Sequence, residues 1–167
     1  MNETPKKLKI GLVIDCFFPM VDGVVIVVDN YAKQLSEYAD VTVFTAGNKI
    51  SKAIEHPYKV VYCKEVKFPG FDYPIPLPKL DPAFCKTLRD ADLDVIHIHS
   101  PFMIGKYAAH VAKTHGIPLI GTIHSQYYQD LYKATHNKRL ARLLLKNHIV
   151  SVYDLCDQCL AVNKSIQ

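Results

Sequence analysis

Short apolar runs rich in β-branched residues alternate along the chain with longer amphipathic segments. This alternation is typical of βαβ units, in which helices join parallel strands. It predicts an α/β fold, a Rossmann-like parallel sheet with helices on both faces. Six runs have the length and composition of its strands: Leu8–Asp15, Val41–Thr45, Lys59–Tyr62, Asp94–His99, Pro118–Ile123 and Gln158–Val162.

Apolar side chains recur at helical spacing between the first two predicted strands. The face they would form consists of Val24, Val28, Tyr31 and Leu35. The run from Val24 to Val28 is β-branched and has the propensity of a strand. The period and the length of the segment nevertheless predict a helix.

Two later helix starts carry a stronger signal. Asp81 and Ser100 each precede a proline, and a capping side chain before a proline is typical of the first turn of a helix. The helix after Ser100 is predicted to stop at Gly116. The proline-rich stretch Phe68–Pro78 cannot pair as a central strand, so we predict an irregular surface loop there.

Length and composition indicate one globular domain of ordinary size. The 167 residues are 49% hydrophobic and 22% charged, which argues against disordered, collagen-like and coiled-coil classes. No apolar run has the roughly 18 residues that a membrane span needs, and the start of the chain lacks signal-peptide architecture. These features predict a cytoplasmic protein.

The cysteines are odd in number and scattered, which suits small buried side chains in a reducing compartment. Only Cys156 and Cys159 have the spacing of a redox motif, and they lead into an apolar strand rather than a helix N-terminus. Core packing is the prediction for this pair. The five cysteines are Cys16, Cys63, Cys85, Cys156 and Cys159.

Positive charge is concentrated in one segment. Between Leu131 and Tyr153 there are five Lys or Arg and no Asp or Glu, whereas the net charge of the whole chain is only +4. An exposed face of this kind would suit an acidic partner surface. No nucleic-acid partner is expected.

Polar residues follow three of the predicted strands. The segments are 15–23, 99–102 and 124–127, and ligands of parallel sheets lie beyond the carboxyl ends of the strands. Gly23 before a helix could admit a phosphate or could be a plain turn glycine. Neither a dinucleotide-binding fingerprint nor a P-loop is present.

Three histidines are candidates for chemistry. His97 and His99 lie two residues apart on a strand and share one face, as in some metal sites. A metal site would need further ligands, for which His124 is the obvious candidate, and the incomplete ligand set favours no metal. His97 is interpreted as a packing residue and His99 as facing a cleft, while His124, directly after a strand, is the strongest single candidate.

Three motifs closely resemble the N-terminal domain of glycosyltransferase family 4. They are FPMVDGV at 18–24, DVIHIHSP at 94–101 and GIPLIGTIHSQY at 116–127. The resemblance runs from about Leu8 to Ser165 and is closest to the branch that glucosylates diacylglycerol and related lipids.

The resemblance implies a retaining transferase of the GT-B fold, which moves a hexose such as glucose from a nucleotide-sugar such as UDP-glucose to an acceptor hydroxyl. It implies no cofactor. Asp22 and Gly23 would approach the donor diphosphate, and His124 would contact the donor sugar. The residues bordering the acceptor would be His99, Ser100, Phe102 and Tyr127.

The sequence departs from the family's pattern in two ways. Asp22 stands where many members carry the first of two glycines, and its carboxylate could repel the donor. The family's diphosphate-binding and nucleotide-binding residues lie in a C-terminal domain. We therefore expect residues 1–167 to be the acceptor-side domain, with its own C-terminal domain as partner and no activity alone; the end at Asn163–Gln167, directly after a strand, indicates a continuing polypeptide.

The basic segment suggests a membrane-facing helix over about Asn137–Val152. An apolar stripe of Leu140, Leu143, Leu144 and Ile149 would lie beside four basic residues, a pattern typical of helices that bind anionic membranes. A surface helix with leucines on the sheet and solvated lysines is an equally good interpretation. The four basic residues are Lys138, Arg139, Arg142 and Lys146.

Two alternatives to a transferase stay open. One is a metal-dependent hydrolase that uses His97, His99 and His124. The other is a non-catalytic Rossmann-like binding module. Metal content separates the first from a transferase, and a continuing reading frame with a Glu-rich motif separates the second.

Overall fold

The computed structural model describes residues 6–69 and 73–163, apart from the side chains of residues 130 and 134. Residues 70–72 of the proline-rich stretch and residues 164–167 at the end of the chain lie outside the described residues.

Six strands form one parallel sheet in the order β3-β2-β1-β6-β7-β8. All six predicted strands are confirmed, with ends that differ by at most two residues. Helices cover both faces of a parallel sheet, and successive side chains of a strand point to opposite faces. Nearly every side chain of such a strand is therefore buried, which explains the continuous apolar runs. The strands are β1 Lys9–Val13, β2 Asp40–Ala46, β3 Lys59–Cys63, β6 Val95–Ile98, β7 Leu119–Ile123 and β8 Gln158–Ala161.

Helices cover both faces of the sheet, as predicted. Leu12 and Ile14 of the first strand segment pack in a core with α1, whereas the intervening Val13 belongs to a larger core with α2, α3 and α6. The helices are α1 Gly23–Leu35, α2 Pro82–Arg89, α3 Met103–His115, α4 Tyr127–Thr135, α5 Lys138–Leu144 and α6 Ser151–Tyr153.

The predicted helix α1 is confirmed, but its buried face differs from the predicted face by about one residue position. Val25, Val28 and Ala32 are the buried apolar residues of this helix. Tyr31, expected on the buried face, is 41% exposed. The β-branched run offered apolar side chains on every face, so its period alone could not select the face that meets the sheet.

One of the two predicted helix caps is confirmed and the other is wrong. The Asp81 carboxylate accepts a hydrogen bond from the Phe84 N–H at the start of α2. Helix α3 begins only at Met103, and no side-chain cap is made by its N-cap residue. Ser100 does not cap α3, because it lies two residues before the N-cap position and its Oγ accepts a hydrogen bond from the Asp15 N–H instead. Gly116 ends α3 with φ +65°, as predicted.

The proline-rich stretch is more ordered than the predicted irregular loop. Its described part contains β5 Ile75–Pro76, which pairs antiparallel with β4 Glu65–Val66, followed by a 3₁₀ turn at Pro78–Leu80. Proline can stand in a short edge strand. Such a strand pairs on one side only, so the position without an N–H can face away from the partner strand.

The helix predicted over about Asn137–Val152 is confirmed from Lys138 onward. Helix α5 continues into a π-helical segment, Leu145–Val150, and then into α6. Leu140 and Leu143 are exposed, but Ile149 is only 4% exposed and belongs to the core, so the predicted membrane stripe is wrong for Ile149. Among the residues that the model describes, no helix is long and apolar enough to cross a membrane.

Core packing is confirmed for only part of the cysteines. All five are free thiols; Cys63 and Cys85 are buried, and Cys16 and Cys156 are half-buried. Cys159 is exposed, contrary to prediction, because β8 pairs with β7 along one side only and is an edge strand of the described sheet.

Candidate functional site

The order of the strands locates the site. The chain leaves β1 toward α1 on one face and leaves the neighbouring β6 toward α3 on the other. The loops after these two strands therefore separate and open a crevice at the carboxyl edge of the sheet. Ligands of doubly wound sheets bind at this topological switch point.

A cavity of about 650 Å³ lies at that crevice. Its wall is mostly apolar, with polar groups where the loops after β1, β6 and β7 meet. This size is in the range of small-molecule sites. Lining residues from the predicted acceptor set are His99, Ser100, Phe102 and Tyr127; others include Asp15, Asp22, Ile75, Met103, Leu131 and Ile149.

Asp15 holds the two loops of the crevice together. Its carboxylate accepts hydrogen bonds from the Ser100 hydroxyl at 2.6 Å and from the Ile104 N–H at 2.7 Å, while its own N–H donates to Ser100 Oγ at 2.8 Å. Asp15 thus caps α3 from a strand 89 residues away in the sequence. Burial raises the pKa of Asp15, and these hydrogen bonds oppose the rise.

The sequence did not identify Asp15 as a site residue, although its place at the end of the first strand was a signal. A carboxylate that ends a buried strand must find donors, and the nearest ones are the first N–H groups of a helix.

Asp22 caps α1. Its carboxylate accepts from the Val25 N–H at 2.8 Å, and the Tyr73 hydroxyl donates to its second oxygen at 3.3 Å. The carboxylate that departs from the family's paired glycines therefore has a structural role. Gly23 follows as the exposed first residue of α1, and a Cβ on it would meet no heavy atom within 4 Å.

The three histidines lie side by side at the ends of β6 and β7. Nδ1 of His99 lies 3.0 Å from Nε2 of His124, which is hydrogen-bond distance. The rings of His97 and His99 have centroids 4.1 Å apart, and Nε2 of His97 lies 2.7 Å from the Thr122 hydroxyl. His97 is a packing residue, as interpreted. His99 lines the cavity but is only 1% exposed.

Burial keeps these histidines neutral. It lowers the pKa of His97 to about 4 and that of His99 to about 2, with like-charge repulsion between the rings acting in the same direction. Burial also lowers the pKa of His124, while the Asp22 carboxylate raises it. At neutral pH each ring therefore has one N–H donor and one acceptor nitrogen.

The histidine cluster has no metal-binding geometry. Within residues 6–69 and 73–163, no group of three His, Cys, Asp or Glu side chains is arranged to hold a metal ion. The polar contacts that the imidazoles make are with each other and with Thr122. Nothing in this geometry favours the metal-dependent hydrolase.

Two of the predicted acceptor residues form an aromatic rim. Phe102 is 49% exposed and packs edge-on against the ring of Tyr127, with centroids 6.0 Å apart. The Tyr127 hydroxyl lies 3.4 Å from that of Tyr153. The structure thus brings all four predicted acceptor residues to one cavity, whereas His124 is connected to its wall through His99.

Comparison with known proteins identifies the family. The model of Glycosyltransferase Family 4 matches residues 21–167. The chain belongs to glycosyltransferase family 4. The match includes the Asp22–Gly23 loop, the histidine cluster and most of the cavity wall.

Two curated relatives illustrate the range of the family. The chain is 29% identical over 127 residues to an alpha-monoglucosyldiacylglycerol synthase of Acholeplasma laidlawii, a match that covers 72% of this chain and 30% of that protein. It is 28% identical over 166 residues to a GDP-mannose-dependent alpha-mannosyltransferase of Corynebacterium glutamicum, covering 95% of this chain and 39% of that protein. The chain thus spans well under half the length of these relatives.

A solved structure supports the fold. MurG of Acinetobacter baumannii aligns with 96% of this chain and 42% of its own, with a TM-score of 0.57 and 11% sequence identity. The likeness supports the Rossmann-like half of a GT-B fold.

Proposed function

We propose that this chain is the acceptor-side domain of a retaining glycosyltransferase that moves a hexose from a nucleotide-sugar to an acceptor with an apolar part. Family membership supports the transferase reaction. The observation that supports the acceptor is the cavity of about 650 Å³ at the switch point, because most of its wall is apolar and its polar groups come from the loops after β1, β6 and β7. Such a site can bury a hydrocarbon while its few polar groups bind a hydroxyl.

The donor is proposed to lie at the N-terminus of α1, next to the cavity. Gly23 is exposed at the N-terminus of α1 with open space above it, so a diphosphate can approach the first N–H groups of the helix. The Asp22 carboxylate accepts a hydrogen bond from the Val25 N–H. This bond offsets part of the repulsion between the carboxylate and an incoming anion. His124 would contact the transferred sugar.

A second domain would supply the remaining donor contacts. The relatives continue well beyond the length that this chain spans, and the family resemblance assigns most nucleotide contacts to that part. The names of the relatives include both a glucosyl and a GDP-mannose-dependent enzyme, so UDP-glucose and GDP-mannose are the two donors to compare.

A lipid is the proposed acceptor class, reached at an anionic membrane. Leu140 and Leu143 are 41% and 55% exposed on α5, and Leu131 and Ile149 of the adjoining helices line the cavity. An exposed apolar and basic surface beside an apolar cavity would allow a lipid to pass from the bilayer into the site. The basic residues of that surface are Lys138, Arg139, Arg142 and Lys146.

The test is a transfer assay in the protein that carries both domains, with diacylglycerol or a soluble polyol as acceptor. Leu131→Trp should fill part of the cavity and raise KM for diacylglycerol while leaving KM for the donor unchanged. Tyr38→Trp is the matched control, because Tyr38 is 76% exposed and lies outside the cavity. Equal use of a soluble polyol, or no effect of Leu131→Trp, would contradict a lipid acceptor.

A further inference from the structure

The ring of His99 is enclosed by other aromatic rings and is 1% exposed. The ring centroids of His97, His124 and Tyr31 lie at 4.1, 5.2 and 5.6 Å from its own. Its two nitrogens differ in their surroundings. Nδ1 is hydrogen-bonded to Nε2 of His124, whereas Nε2 is buried without a hydrogen-bond partner among the described residues.

The bond between the two histidines contains a single proton, since both rings are neutral at pH 7. If that proton belonged to His124, the proton of His99 would have to sit on Nε2. A buried N–H donor would then have no acceptor, and such donors are rarer in folded proteins than acceptors with an unused lone pair. If the proton belongs to Nδ1 of His99, the partnerless atom is only a lone pair.

We infer that His99 is a positioning residue that fixes the tautomer of His124. His99 donates its Nδ1–H to Nε2 of His124, so the proton of His124 must be on Nδ1. The nitrogen of His124 that is left to contact a substrate is therefore an N–H donor. Its ring orientation is fixed by the same bond.

The catalytic meaning of this inference rests on the proposed function. An N–H at Nδ1 of His124 can donate to an oxygen of the transferred sugar, whereas the opposite tautomer would present a lone pair to the same oxygen. Preorganised donors at a reacting centre are among the most effective devices of enzymes. The tautomer itself does not depend on the reaction.

The direct test is NMR of the 167-residue chain with ¹⁵N-labelled histidine, in which long-range couplings show which ring nitrogen carries the proton. We expect His124 protonated at Nδ1 and unprotonated at Nε2, and His99 protonated at Nδ1. A protonated Nε2 on His124 would overturn the inference. This measurement needs neither donor nor acceptor, so it stands apart from the transferase assay.

Two variants extend the test. His99→Asn keeps an amide N–H near the position of Nδ1 and should preserve the Nδ1–H tautomer of His124, whereas His99→Leu removes the donor and should release it. His97→Gln is the matched control, since His97 is hydrogen-bonded to Thr122 rather than to His124. If His99→Leu does not fold, the wild-type and His99→Asn spectra still decide the question.

Turnover in the two-domain protein provides the functional readout. His99→Leu should lower kcat by roughly tenfold or more with little change in the donor KM, the size found for groups that orient an imidazole in other sites. His99→Asn should restore most of that loss. Equal kcat losses in His99→Asn and His99→Leu, with folding intact, would show that His99 acts only by packing.

Discussion

Asp22 combines a structural and an electrostatic role at one edge of the site. Its carboxylate caps α1 through the Val25 N–H and raises the pKa of His124. The two roles need different properties of the side chain. The cap needs an acceptor oxygen, which Asn also provides, whereas the effect on His124 needs the negative charge.

Asp22→Asn should therefore separate the two roles. The free energy of unfolding should change little, while the pKa of His124 should fall below its value in the parent protein because the attracting charge is gone. The comparison variant Asp22→Ala loses the cap as well and should cost about 1 kcal/mol. NMR titration of the His124 ring and chemical denaturation measure the two quantities. A higher pKa of His124 in Asp22→Asn would contradict this account.

His124→Ala tests the proposed contact with the donor sugar. In the protein with both domains, turnover should fall by roughly a hundredfold, the loss expected when one preorganised group is removed. Folding should survive because His124 is only half-buried. The readouts are kcat and thermal unfolding. Near-normal turnover, or a loss that follows unfolding alone, would make His124 a structural residue.

Gly23→Ala tests the donor side of the site. An added Cβ meets no heavy atom within 4 Å, and Ala is a better helix former than Gly, so the folded state should be at least as stable. If a diphosphate approaches the N-terminus of α1, the methyl group should raise the donor KM without changing the acceptor KM. An unchanged donor KM would leave Gly23 as a plain turn glycine.

At the scale of elements, local sequence signals predicted the strands and the general location of the site. They did not predict the contacts between residues far apart in the sequence. The β-branched runs fixed the six strands, and Asp81 before a proline marked α2 correctly. Asp15 instead caps α3 across 89 residues, and His99 meets His124 across 25. Neither partnership has a sequence pattern, because both follow from the order of strands in the sheet.

The two buried histidines at the end of β6, His97 and His99, should make the protein acid-sensitive. Unfolded histidine has a pKa near 6.5, whereas that of native His97 is lowered to about 4. Between these values the unfolded chain binds the proton and the native chain does not, so stability is lost as pH falls. Each such histidine contributes on the order of 1.4 kcal/mol per pH unit.

Denaturation between pH 6.5 and 4.5 measures this loss. His97→Gln can keep a hydrogen bond to Thr122. On unfolding, this variant should take up about one proton fewer than the parent protein. His110→Gln, at an exposed position of α3, is the matched control for the change of residue type. The same slope in His97→Gln and in the parent protein would mean that native His97 is not held neutral.

At the scale of the whole molecule, the site is asymmetric. The cavity proposed for the acceptor has a lining from several loops and helices of this domain, whereas the proposed donor side offers little more than the N-terminus of α1, Asp22 and His124. Calorimetry should therefore show that UDP-glucose binds the 167-residue chain weakly or not at all. A dissociation constant in the low micromolar range corresponds to a binding free energy of about −8 kcal/mol. Such a value would place the donor site largely in this domain and contradict the proposed division of the substrates between two domains.

The exposed basic surface of α5 and the π-helical segment should bind anionic membranes through Lys138, Arg139, Arg142 and Lys146. Basic residues near an anionic bilayer contribute on the order of 1 kcal/mol each, so the four together can hold a domain reversibly at the surface. The chain should sediment with phosphatidylglycerol vesicles and not with phosphatidylcholine, and binding should weaken steeply as salt rises. Arg142→Ala with Lys146→Ala should reduce binding.

The matched control is the pair Lys49→Ala with Lys52→Ala, two exposed lysines after β2 whose loss removes the same charge from a different segment of the chain. Leu143→Ser adds a test of the apolar contribution, because Leu143 is 55% exposed beside the basic residues. If both double variants weaken binding equally, net charge rather than this surface is responsible. Equal sedimentation with neutral and anionic vesicles, or none with either, would favour a soluble acceptor over a lipid.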